Sequence, residues 1–127
     1  MVEQNVIAVL FDCDDTLCED TTTFALKKYG VDVLRFWESV EKMVGNGWDP
    51  PLAYMSKIIH MVESGEILSL TDEGLRQIGA EVDFYPGIPQ MFAELNRLVG
   101  VREEFQEAGV TLEFYVVSSG FEEVIRG

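Results

Sequence analysis

Val6-Ile7-Ala8-Val9-Leu10-Phe11-Asp12-Cys13-Asp14-Asp15-Thr16-Leu17 is the stretch on which the reading of the fold turns. Six consecutive apolar residues, Val6 to Phe11, have the side chains of a strand, and their unbroken hydrophobicity predicts burial on both faces, as in a parallel sheet. Three carboxylates and a Thr follow at once. An ionised Asp does not sit unpaired in an apolar interior, so the acidic cluster belongs at the strand's carboxyl end, facing a crevice. In open parallel sheets that edge is where ligands bind. Asp12 and Asp14 are two residues apart, which in extended backbone points both side chains the same way. Two carboxylates held close repel unless a proton or a cation lies between them. The simplest partner is Mg²⁺, a hard ion that takes carboxylate and phosphate oxygens and keeps several waters. Cys13 alternates to the other side and is assigned to packing.

The 127 residues make one domain's worth of chain, with room for a small insertion. Hydrophobic residues form 47% of it, which places it among globular rather than disordered proteins. Nine basic residues against twenty-three acidic ones give a formal net charge of −14. That excludes a nucleic-acid binder, which needs Lys and Arg to neutralise phosphates, and makes a bound cation more necessary for any anionic substrate. No run approaches the roughly 20 apolar residues of a membrane span, and Val6–Phe11 is too short and lacks the basic leader of a signal peptide. The expected address is cytoplasmic, with Cys13 and Cys18 as reduced thiols.

From Glu19 to Val82 the periodicity is helical throughout. Thr21–Tyr29 reads as a short helix with threonines to cap it, followed by helices over Val31–Val44 and from Asp49-Pro50-Pro51 to Ser64. Leu52, Met55, Ile58, Ile59 and Val62 form the apolar set of the third, and His60 is assigned to a solvated face. Ser69-Leu70-Thr71-Asp72 opens a fourth helix, to Ala80. Trp37 and Trp48 are assigned to core filling. After Tyr85-Pro86-Gly87 a helix runs from Pro89, with Met91, Phe92, Leu95, Leu98 and Val99 on one face. Gly100 weakens it, and it continues or restarts over Arg102–Ala108. Val110–Val117 reads as a second strand, buried at its end, running into Ser118-Ser119-Gly120-Phe121 and a final helical start. Strand, helices and strand in this order predict a parallel pair with a right-handed crossover, which brings Asp12–Thr16 and Ser118–Gly120 to one sheet edge.

Asp12-x-Asp14-x-Thr16 after a hydrophobic strand resembles the first motif of the haloacid dehalogenase-like (HAD) hydrolase superfamily. Val-Val-Ser-Ser-Gly-Phe at 116–121 resembles the second, in the form found in phosphoserine-phosphatase-like members. The resemblance implies an α/β fold: a partial Rossmann-like HAD core of parallel strands at 1–18 and 83–127, with a helical cap inserted at 19–82. It implies a Mg²⁺-dependent phosphohydrolase acting on a small phosphorylated metabolite. Asp12 would attack phosphorus to form an aspartyl-phosphate, and Asp14 would serve as acid and then base. Asp12 and Asp14 would hold the metal, while Thr16, Ser118, Ser119 and Gly120 would bind the substrate phosphate. The third motif, a Lys or Arg beyond the second, is matched only by Arg126. The fourth, an acidic pair on a later strand, has no counterpart, since Glu122-Glu123 lies in the wrong element. The chain is therefore expected to be the amino-terminal part of a longer enzyme, inactive in isolation. The alternative is a catalytically idle phosphate- or partner-binding fragment of the same fold. A Ca²⁺ loop is excluded because Leu17 and Thr23 stand where it needs Gly and Glu. No nucleic-acid or membrane partner is expected, whereas an unpaired apolar edge at Val6–Phe11 predicts self-association.

Overall fold

The computed structural model describes residues Asn5–Gly127. In chain order they form β1 (Val6–Asp12), α1 (Thr21–Lys28), α2 (Val33–Gly45), α3 (Pro50–Glu63), α4 (Asp72–Gly79), α5 (Ile88–Val101), α6 (Glu103–Glu107), β2 (Thr111–Val117) and α7 (Glu122–Arg126). The fold is mixed α/β, with a two-stranded parallel sheet and seven helices among the described residues. Two compact units divide the chain: one takes the residues up to Glu19 with Asp83–Ser118, the other Asp20–Val82 with Ser119–Gly127.

The first unit holds the sheet. β1 and β2 pair in parallel, from Val6 opposite Thr111 to Asp12 opposite Val117. Paired residues share a face, so Phe11 and Phe114 lie on one side. There they meet Phe92 of α5, with ring centroids 5.4 and 5.1 Å from it in edge-on contacts. These pairs pin α5 to the sheet. Gly87 turns into α5 with a left-handed φ of 89°, and the helix does not continue past Val101: Arg102 is extended and α6 restarts at Glu103.

Burial on both faces does not hold. Val6, Ile7 and Leu10 remain exposed, Leu10 at 63%, and the end of β2 is likewise bare, Val117 at 60%. The reason is the small sheet: Val6, Ala8, Leu10, Tyr115 and Val117 lie on the face opposite α5, and even on the Phe11 face Ile7 and Val116 stay exposed. Among the described residues of this unit, those buried are Cys13, Leu17 and Cys18, all in the turn after β1.

The second unit is helical. Each of its first four helices opens on a side chain that accepts a hydrogen bond from its first turn: Asp20, Asp32, Asp49 and Thr71. Part of the chain's acidity is thus spent satisfying orphan amides. The threonines do not cap α1; Thr21 and Thr22 are buried, and Asp20 takes that role. Leu26, Phe36, Val40, Ala53, Tyr54, Ile58, Met61 and Ile67 form the core. Trp37 packs against it and donates its indole N–H to the Thr23 hydroxyl at 2.8 Å. Trp48 is exposed rather than core, as are Leu52 and Ile59, because α3 turns Ala53, Tyr54, Ile58 and Met61 inward instead. His60 is exposed, on the solvated side.

Gly79 sits where α4 meets α7, and a Cβ there would lie 2.0 Å from the Val124 carbonyl oxygen. Backbone cannot give way cheaply, so Gly79→Ala should destabilise the protein by about 1–3 kcal/mol through overpacking. Gly100, inside α5 with nothing within 4 Å of its virtual Cβ, should respond oppositely. Gly100→Ala should stabilise by up to about 1 kcal/mol, since Ala is the better helix former. Denaturant midpoints of the two variants check the pair.

Candidate active site

β1 ends at Asp12, and the chain folds back on itself at once. The Cys13 carbonyl accepts from the amides of Thr16, Leu17 and Cys18, at 3.2, 2.9 and 3.5 Å. One oxygen thus gathers three donors and closes the acidic turn. Asp15 takes a left-handed φ of 57° to allow it, a conformation Asp tolerates better than most residues. The loop before α5 straps the turn from the other side. Cys18 bridges Phe84, the Tyr85 amide donates to the Leu17 carbonyl at 2.9 Å, and the Tyr85 hydroxyl donates to Asp15 Oδ1 at 3.4 Å. Desolvation, then the Asp15 charge, raises the Tyr85 pKa and keeps the phenol a donor.

Burial follows the expected alternation: Cys13 is buried, Asp12 exposed and Asp14 half-buried. The Thr16 hydroxyl donates to Asp12 Oδ2 at 3.4 Å, so Thr16 touches the carboxylate that the sequence marks for chemistry. Ser118 follows Val117, the register partner of Asp12. Asp12 and Ser118 therefore stand at the same end of adjacent strands, with Ser118 half-buried. Ser119 and Gly120 belong to the helical unit, where the Tyr54 hydroxyl donates to the Ser119 carbonyl at 2.5 Å. That carbonyl contact had no signal in the sequence.

Asp12 and Asp14 offer carboxylate oxygens, the donor type that Mg²⁺ takes. Among the described residues no group of three or more His, Cys, Asp or Glu is placed to hold a metal. The two carboxylates would supply only part of such an ion's shell, the rest being water.

Cys13 and Cys18 are free thiols with their sulfurs 3.8 Å apart. Burial raises the pKa of both, that of Cys18 to about 12, with its neighbour Cys13 and then Asp14 adding to the effect.

The described residues form a mixed α/β arrangement in which the acidic turn and Ser118 follow the paired ends of two parallel strands. An uncharacterized protein of Borreliella burgdorferi is 30% identical over 132 aligned residues, which cover 98% of this chain and 45% of that protein. The chain thus spans just under half the length of this relative. No family model matches the chain, and no solved structure does.

The thiols give a direct check. A folded-state pKa above the ordinary value of 9.0 stabilises the fold below that pH, and the contribution is lost as the pH rises toward about 12. At pH 8 the native protein should react with iodoacetamide at least about tenfold more slowly than the protein in urea. Equal rates, followed by mass spectrometry, would show the thiols to be accessible.

Proposed function

We propose that the chain carries the nucleophile and phosphate-binding part of a Mg²⁺-dependent HAD-like phosphohydrolase, with a partial Rossmann-like core at 1–18 and 83–127 and a helical cap at 19–82. The observation that supports it best is the register of the parallel pair, Asp12 opposite Val117, which sets Ser118 beside the acidic turn. In this reading an Asp12 carboxylate oxygen forms a bond to phosphorus while the ester P–O bond breaks. Asp14 gives its proton to the departing oxygen. Water then attacks phosphorus, Asp14 takes its proton, and the Asp12 oxygen–phosphorus bond breaks to release phosphate and restore the carboxylate. Ser118 and Thr16 hold phosphoryl oxygens through their hydroxyls. Mg²⁺, held at Asp12 and Asp14, would offset the repulsion between a phosphate dianion and the acidic turn. The substrate is a small phosphorylated metabolite and the address cytoplasmic. A Lys or Arg and further acids from additional chain complete the site.

In the full-length protein, Asp12→Asn should reduce hydrolysis of an aryl phosphate to background, because an amide is not a useful nucleophile. Asp14→Asn should cost about 10²–10⁴-fold, the usual worth of a positioned acid–base group. Wild-type turnover by Asp12→Asn would remove Asp12 as the nucleophile. The 127-residue chain should bind Mg²⁺ only weakly, and sub-micromolar affinity by calorimetry would contradict the partial shell.

The bare face and edge of β1 belong to the same reading. Pairing and apolar burial act at contact, whereas the −14 charge is screened beyond about 10 Å in salt. The isolated chain should therefore self-associate at micromolar concentration. Sedimentation velocity showing a monomer throughout that range would count against an open sheet edge.

A further inference from the structure

The helical unit contains a pocket of about 430 Å³ that the strand-end chemistry does not use. Buried Phe36 and Met61 line it, together with Arg35, Lys42 and Lys57. Helical spacing assembles the set: Arg35 and Lys42, seven residues apart, share a face of α2, and Lys57 and Met61, four apart, share a face of α3.

The distribution of cations is the decisive observation. The chain has nine Lys and Arg in all. Five of them, Lys28, Arg76, Arg97, Arg102 and Arg126, are ion-paired to Glu. Among the described residues the other four make no ion pair, and three of those four line this one pocket. Three acids also line the pocket: Asp32, Glu38 and Glu66. Asp32 is occupied as the cap of α2, accepting from the Arg35 amide at 3.2 Å, and Glu66 accepts from the Ser64 hydroxyl at 3.3 Å. All three acids keep their charge, so the lining is formally balanced, and what sets the cations apart is that Arg35, Lys42 and Lys57 form no ion pair among the described residues.

We propose that this pocket binds a small organic anion, a monosubstituted phosphate, phosphonate or carboxylate. Its apolar portion rests on Phe36 and Met61, and its charged end is met by Arg35, Lys42 and Lys57. An apolar floor with a few convergent polar groups is the ordinary construction of a small-molecule site, and Arg and Lys are the side chains suited to carboxylate and phosphate oxygens. The proposal does not rest on the chemistry assigned to Asp12 and Asp14, and needs no metal.

The test titrates phenylphosphonate, which cannot be hydrolysed, into the 127-residue protein carrying ¹³C-methyl methionine, with EDTA present. The Met61 methyl resonance should shift saturably while that of Met91, outside the helical unit, stays fixed. Lys42→Gln and Lys57→Gln should each weaken binding severalfold, and the double variant at least about tenfold, in line with the loss of charged hydrogen bonds. Lys27→Gln removes the cation outside the pocket and should leave affinity unchanged. Benzylamine, with the same ring and the opposite charge, should not compete. An unmoved Met61 resonance, equal affinity in the double variant, or binding of benzylamine as tight as that of phenylphosphonate would each overturn the proposal. All three variants lie at exposed or half-buried positions, and unchanged thermal melts establish that they fold.

Discussion

Two parallel strands cannot be joined by a hairpin, and this constraint organises everything else in the molecule. The chain must leave the end of β1 and return to its start before β2 can pair with it. The stretch 13–110 performs that return. It passes through four helices of one unit and two of the other before Thr111 comes to lie opposite Val6. Whatever is attached to the ends of both strands is then delivered to one edge, and the pairing of Asp12 with Val117 is the result.

The turn after β1 is built to stay put while the strands beside it remain half-bare. Its polar atoms converge on a single acceptor, the Cys13 carbonyl, and its apolar atoms, Leu17 with the two thiols, are buried. A rigid turn with its carboxylates outward is a suitable support for charged groups, because the cost of holding them near one another is borne by backbone hydrogen bonds and local packing rather than by the sheet. The helical unit is stabilised differently, by a contiguous core and by capped helix starts.

Much of this was legible in the residues. The apolar run 6–11, the helical periods of 21–80 and the second apolar run each produced an element close to the expected place, because strong periodicity and clear breakers leave little competition. The acidic turn was legible for the same reason: three carboxylates after a strand have only one kind of place to go. Burial was not. Val6–Phe11 looks buried on both faces, but a hydrophobic pattern records what a residue can tolerate, and burial depends on what else is there to cover it. Asp20 rather than a threonine caps α1, because an Asp and three threonines compete for one amide and Asp is the stronger capping residue. Trp48 and Leu52 face water because the register of α3 on the core is decided by Ala53, Tyr54, Ile58 and Met61, a choice a broad apolar stripe leaves open. The unpaired cations of the pocket could not be read from sequence either, since Arg35, Lys42 and Lys57 reveal their lack of partners only once the other cations have found theirs.

Asp15 carries a consequence of its own. Its backbone is left-handed, so the position rewards residues that enter that region easily, Gly, Asn and Asp, and penalises Val, Ile and Thr. The third carboxylate of the cluster is therefore selected by backbone geometry as much as by charge. In a collection of related chains, position 15 should drift among Asp, Asn and Gly, keeping the turn while the cluster's charge varies by one, whereas positions 12 and 14 answer to a different pressure. A search pattern that demands an acid at each of positions 12, 14 and 15 would discard true relatives, and one that leaves position 15 to small, turn-forming residues would retain them.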